Sequence, residues 1–160
     1  MFTESEELSG WKKLILVVTR FAIGWHLFYQ GFGKVVEGDW SSVGYLKAGW
    51  GPFPWIAEHP TLLYLTDLAT VWGLMILGIL LMVGLFTRVA SILAILQLFM
   101  IYVAIPPLDY TGFVTTTERG SELYVNQTLI EVLALMILAS FRTGHIMGLD
   151  ILVRHYRRNR

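Results

Sequence analysis

An all-α integral membrane four-helix bundle is the fold class that three features of this sequence predict. They are four long apolar runs, basic residues concentrated in alternate connections, and a composition too apolar for a soluble chain of this size. Hydrophobic residues make up 55% of the 160 residues, charged residues 15%, and six are tryptophan; mean hydropathy is positive. The runs are 14–32, 62–86, 89–105 and 123–141. At about 1.5 Å of rise per residue, each crosses all or nearly all of a hydrocarbon layer roughly 30 Å thick. Four such helices use most of the chain, 1–160, as one domain. No soluble catalytic or nucleotide-binding domain fits beside them, so any chemistry sits in the bundle or its connections.

The first run follows Lys12 and Lys13. Arg88 lies between the second and third runs, and Arg142, Arg154, Arg157, Arg158 and Arg160 follow the fourth. The other two connections hold only Lys34, Lys47 and Arg119. Basic residues mark the cytoplasmic side, so both termini and a short turn at Thr87 and Arg88 are expected in the cytoplasm. A bacterial or archaeal cytoplasmic membrane is the expected location. The acidic start, Met1 to Gly10, lacks the basic flank and A-x-A site of a removable signal, so the first run is expected to remain a helix. The C-terminal arginines read as a patch for anionic lipid.

Between the first two runs, Trp40, Tyr45, Trp50, Phe53 and Trp55 are interrupted by Gly49, Gly51, Pro52 and Pro54. That pattern predicts an interfacial segment of short helix and turn, either an anchoring belt or a lid over a cavity. The other outer connection is 106–122. Gly24 and Gly31 in the first run, and Gly73, Gly78 and Gly84 in the second, predict close helix contacts.

Ionisable groups within spans are costly and mark candidate functional positions. On the first helix Arg20 stands about 9 Å from the inner end and His26 about 9 Å from the outer end, with Gln30 farther out. Asp67 lies about 8 Å below the outer surface on the second helix, and Glu131 roughly 12 Å deep on the fourth, below Asn126 and Gln127. His26, Gln30, Asp67, Asn126 and Glu131 therefore have depths that allow them to meet in the outer half of the bundle. Faces are less determined. His26 and Gln30 share one, but Asn126 and Glu131 are about 140° apart, and Arg20 and His26 about 120°. The plainer alternative is that these groups pair with one another to hold helices together. A carboxylate and an imidazole can pass protons, and Tyr29, Tyr64, Tyr102 and Trp72 offer flat walls, which together suit a quinone.

Other cofactors fit poorly. His26 is the one histidine within a run, which disfavours bis-histidine haem, and the absence of cysteine disfavours an iron–sulfur cluster or thiol chemistry. No H-E-x-x-H or similar spacing points to zinc. No electron carrier is evident, so a second protein subunit or a homo-oligomer is expected as partner, and nucleic acid is not.

Arg20, Gly24, Phe28, Gly31 and Lys34 on the first helix, with Gly84 to Arg88 reading G-L-F-T-R, resemble the DoxX membrane family. Tyr45-Leu46 followed by Gly51-Pro52-Phe53 resembles the first outer loop of its DoxD branch, and Gly144 to Asp150 resembles the ending G-x-x-x-x-L-D. The resemblance implies a four-helix membrane protein. For the DoxD branch it implies the membrane subunit of a thiosulfate:quinone oxidoreductase, which makes tetrathionate outside and passes electrons to quinone. Where many relatives have an acidic residue near the middle of the second helix, this chain has an apolar run from Trp72 to Leu77. The candidate roles are His26, Asp67 and Glu131 as catalytic, Arg20, Gln30, Trp72 and Asn126 as quinone-binding, and Lys34 as the site for an anionic substrate. A non-catalytic scaffold or lipid-binding subunit is the alternative. A small-solute carrier comes third, since no inverted repeat is visible.

Overall fold

The computed structural model describes residues 9–49, 51–104, 125–141 and 143–151. The acidic start up to residue 8, Trp50, the second outer connection at 106–122, Arg142 and the arginines from Arg154 onward lie outside the described residues. In order, the helices are α1 (Gly10–Glu37), α2 (Val43–Ala48), α3 (Phe53–Glu58), α4 (Pro60–Val83), α5 (Thr87–Ala104) and α6 (Gln127–Ser140), followed by a 3-10 turn, Thr143–His145. No strand element occurs among the described residues. α1 packs along α4 and α5 along α6, while α4–α5 and α1–α6 contacts draw the four long helices around one core. Leu27, Leu81 and Leu135 are fully buried there, with Leu74, Leu98 and Leu138 nearly so.

α4 and α5 are long and apolar enough to cross a membrane, yet only 28% and 33% of their most apolar windows are buried inside the protein. A core helix of a soluble domain is mostly buried; these two instead present their aliphatic surface outward, as helices bathed in lipid do. α1 is longer, at 28 residues, but carries Lys12, Lys13, Arg20, Lys34 and Glu37. α6 has 14 residues, shorter than its expected run.

Helix ends depart from the apolar runs for local reasons. The second run extends to Phe86, but α4 stops at Val83 because Gly84 adopts φ 73°, ψ 38°, and its N–H donates back to the carbonyls of Leu80 and Leu81. Thr87 and Arg88, expected as the turn, already form the first turn of α5. The turn itself is Gly84 to Phe86. α6 starts at Gln127, where the Asn126 side chain accepts from the Leu129 N–H at 2.9 Å.

The glycines set the closest helix contact. A Cβ at Gly24 would lie 2.8 Å from the Gly78 carbonyl, one at Gly31 2.7 Å from the Val71 carbonyl, and one at Gly78 2.5 Å from the Phe28 nitrogen. Only hydrogen fits at these three points, so α1 and α4 meet backbone to backbone.

The two ends of the helix assembly are closed differently. At the upper end α2 and α3 fold across it, with Leu46, Phe53 and Ala57 packed on Ala104 of α5. The expected interfacial segment is thus two short helices. At the lower end, residues 143–151 turn back onto the α4–α5 connection, where the Leu149 and Asp150 N–H groups donate to the carbonyls of Val83 at 3.3 Å and Gly84 at 3.1 Å.

Gly78→Ala is expected to destabilise the protein by about 1–3 kcal/mol, because the added methyl meets backbone rather than a movable side chain. Gly44→Ala, where nothing lies within 4 Å, should stay within about 0.5 kcal/mol of the parent. Thermal melting of the two variants in the same detergent checks the difference.

Candidate functional site

Four polar side chains meet between α1 and α6 in the upper half of the protein. His26 Nε2 lies 3.1 Å from Glu131 Oε1. The Gln127 amide nitrogen is 2.9 Å from the same ring nitrogen and donates to Glu131 Oε1 at 3.0 Å. The Gln30 amide nitrogen approaches His26 Nε2 at 2.5 Å. Helix periodicity explains the quartet: His26 and Gln30 are four apart on α1, Gln127 and Glu131 four apart on α6, so each pair presents one face to the other.

A single ring nitrogen either donates one hydrogen or accepts one. The arrangement therefore has two consistent settings. His26 Nε2 can carry a hydrogen and donate it to Glu131 Oε1, or it can lack one and accept from one of the two amide nitrogens beside it, that of Gln30 or of Gln127. The Glu131 side chain is 11% exposed and that of His26 39%, so the carboxyl is sheltered while the imidazole reaches the surface. Glu131 Oε2 is buried without a hydrogen-bond partner among the described residues. A buried oxygen left unpaired is costly and is the natural acceptor for a hydroxyl or N–H brought by a ligand.

The other candidate residues are distributed elsewhere. Asp67 is taken up by the upper cap: Ser41 Oγ donates to it at 2.8 Å, the Ser42 N–H at 2.7 Å, and the Ser42 hydroxyl adds a third bond. Those bonds anchor the segment leading into α2 to α4, and Asp67 does not join the His26 quartet. It shares instead a groove of about 340 Å³ with Lys34, Trp40, Tyr64 and Trp72. There the Lys34 ammonium stands 5.0 Å from the Trp40 ring centre and donates to the Gln30 carbonyl at 3.3 Å. Lys34 and Trp72 thus flank one recess at the top of α1 and α4, one turn above Gln30.

Arg20 belongs to the lower end. It is 3% exposed, its Nη2 donates to the Met147 carbonyl at 2.5 Å, and Asp150 supplies the opposing charge nearby. Arg20, expected as a quinone-binding residue, does not join the His26 quartet; the helix turn of about 120° between positions 20 and 26 carries the guanidinium to another neighbour. Asn126 is the N-cap of α6 rather than a member of the quartet, and Gln127 stands in its place. The four-residue spacing of Gln127 and Glu131 is the sequence signal for this, and Asn126 lacks it. Asp150 was not among the sequence candidates, yet it accepts from the Phe86 N–H at 2.7 Å, the Thr87 N–H at 3.2 Å and the Thr87 hydroxyl at 2.9 Å. It holds the first turn of α5 and Phe86, which sits at φ 48°.

Fold and site together define a helical membrane protein with a sheltered histidine–carboxylate pair in its upper half. The DoxX family model matches residues 15–107, more than half of the chain, and the chain belongs to that family. The match runs from α1 to the end of α5; it includes His26, Lys34 and Asp67, and ends before Gln127 and Glu131. No curated protein and no solved structure matches the chain.

Asp150→Ala removes the acceptor from the first turn of α5, and a loss of about 1–2 kcal/mol is expected in thermal or denaturant unfolding. At the upper end, burial raises the Tyr45 phenol above its ordinary 10.0 and nearby Asp67 adds to the rise, against hydrogen bonds with Thr70 and Ser42 that lower it. The folded state thus favours the neutral phenol. This contribution to stability is intact below pH 10 and is lost as pH rises through the higher folded value. Melting temperatures between about pH 8 and 11 should fall less steeply in Tyr45→Phe than in the parent.

Proposed function

We propose that this DoxX-family protein is the membrane subunit of a quinone-linked oxidoreductase. In this reading α1, α4, α5 and α6 all cross the membrane, both termini lie in the cytoplasm of a bacterial or archaeal cell, and the α2–α3 end faces outward. The observation that carries the proposal is the His26–Glu131 pair at 3.1 Å, with one carboxylate oxygen that has no hydrogen-bond partner among the described residues.

A quinone ring bears carbonyls that need donors, and its reduction by two electrons takes up two protons. The chain's own groups match that demand. His26 and the amides of Gln30 and Gln127 offer N–H donors, Glu131 Oε2 offers an acceptor for the resulting hydroxyl, and the His26–Glu131 pair holds a proton that can be passed on. A reduced donor must supply the electrons, and a second subunit or another copy of the chain is the expected partner. For a DoxD-type reaction two thiosulfate ions join through a new S–S bond to give tetrathionate, releasing two electrons. Lys34, in the recess above Gln30, is the cation for that anion.

A scaffold or lipid-binding role is the second reading. It is favoured by the engagement of Asp67 and Asn126 in bonds that tie segments together rather than leaving them open to a ligand, and by the Arg20 Nη2 bond to the Met147 carbonyl.

Mass analysis of quinones copurifying with the detergent-solubilised protein tests the choice. Near-stoichiometric quinone in the parent, lost in His26→Ala and Glu131→Gln while both variants keep their helical circular dichroism, is the expected result. A folded parent that carries no quinone rejects the redox reading and leaves the scaffold.

A further inference from the structure

Beside the quartet, on the outward surface of α1, Trp25 and Tyr29 stack with ring centres 6.3 Å apart and planes 24° from parallel. Both are exposed, Trp25 at 53% and Tyr29 at 62%. Phe28 extends the group, its ring centre 6.1 Å from that of Trp25 and 5.9 Å from that of Phe32. Aromatic side chains with a polar handle favour the membrane–water interface, where the handle is wet. Trp25 is instead near the middle of α1.

Helix geometry relates this shelf to the candidate site. At about 100° per residue, Tyr29 is about 60° from His26 around α1, and Trp25 about 100° in the same direction. Leu27, fully buried in the core, lies about 100° in the opposite direction. His26 therefore stands on the border between core and outward surface, with Glu131 on its sheltered side and Tyr29 and Trp25 on its open side. A planar ring lying on the shelf would have its edge at the His26 imidazole, which together with Gln127 is where the quartet reaches the surface.

We propose that Trp25 and Tyr29 are binding residues for the ring of a quinone-class ligand, which reaches His26 sideways from the lipid across α1 instead of through the α2–α3 cap. Two observations converge on this: a near-parallel aromatic pair exposed on the outward face of α1 with Trp25 near the helix middle, and a half-exposed imidazole at its edge that is already paired with a carboxylate. A flat, electron-poor ring stacks on indole and phenol faces, while its carbonyl takes the donor at the edge. The inference rests on the quinone reading of the quartet and adds to it where the ring lies and by which route it comes.

The test uses the full chain in phospholipid nanodiscs, titrated with decylubiquinone. Binding is read twice, by quenching of tryptophan emission and by equilibrium partition of the quinone into protein-containing over empty discs. The parent should show saturable quenching, and Trp25→Phe should lose most of that saturable part. In the partition assay Trp25→Leu and Tyr29→Leu should each bind about three- to tenfold more weakly, the range a stacking contact is worth. Trp11→Phe, on the same helix but far from His26, should match the parent in both assays. If His26→Ala abolishes binding while the Trp25 and Tyr29 variants bind and quench as the parent does, the shelf is overturned and the quinone reading survives. If the folded parent shows no saturable binding, both fall together.

Discussion

Backbone contact between α1 and α4 sets the rotation of the first helix, and the place of nearly every polar group follows from it. Gly24, Gly31 and Gly78 leave no space for a methyl at the contact, so α1 cannot turn about its axis without pushing a side chain into the α4 backbone. With the glycine face committed to α4, Leu27 enters the core, His26 is carried to the edge that meets α6, and the Trp25–Tyr29 pair faces outward. A different rotation would sink the aromatic shelf into the core or take His26 away from Glu131.

The second governing constraint is that polar groups inside an apolar surrounding must find partners within the chain. The protein meets it in three places. At the upper end Asp67 gathers Ser41 and Ser42 and thereby anchors the α2–α3 cap. At the lower end Asp150 holds the first turn of α5, and Arg20 holds the Met147 carbonyl, so the returning segment is fastened to the α4–α5 turn. Between them, His26, Gln30, Gln127 and Glu131 satisfy one another only in part, and Glu131 Oε2 has no hydrogen-bond partner among the described residues. Arg20 Nε and Nη1, at the lower end, are likewise buried without a partner among the described residues. The quartet differs in joining such an atom to an imidazole that reaches the surface, which is why the functional reading centres there.

Three motifs that are far apart in the sequence meet at the lower end: Arg20, the Gly84–Arg88 segment, and the Gly144–Asp150 segment. Gly84 and Gly148 touch there because neither has a side chain, a Cβ on Gly148 falling 2.7 Å from the Gly84 carbonyl. This gives the motif residues a physical reason to occur together that needs no ligand. It separates them from the His26 quartet, of which one half lies beyond the region that the family model matches.

The all-helical class, the apolar character of α4 and α5 and the glycine contacts of α1 with α4 were legible in the sequence, because they depend on composition and on spacing along one chain. Spacing also placed His26 with Gln30. It could not choose the neighbour across the gap. Asp67 and Glu131 have similar expected depths, yet only Glu131 meets His26, because the glycine seam brings α6 to that edge and serine donors claim Asp67 first. Likewise Asn126 and Gln127 differ by one position, but the turn of the helix makes one a cap and the other a partner of the histidine. Depth is a property of a single helix. Facing is a property of two, and the tertiary packing alone decided it.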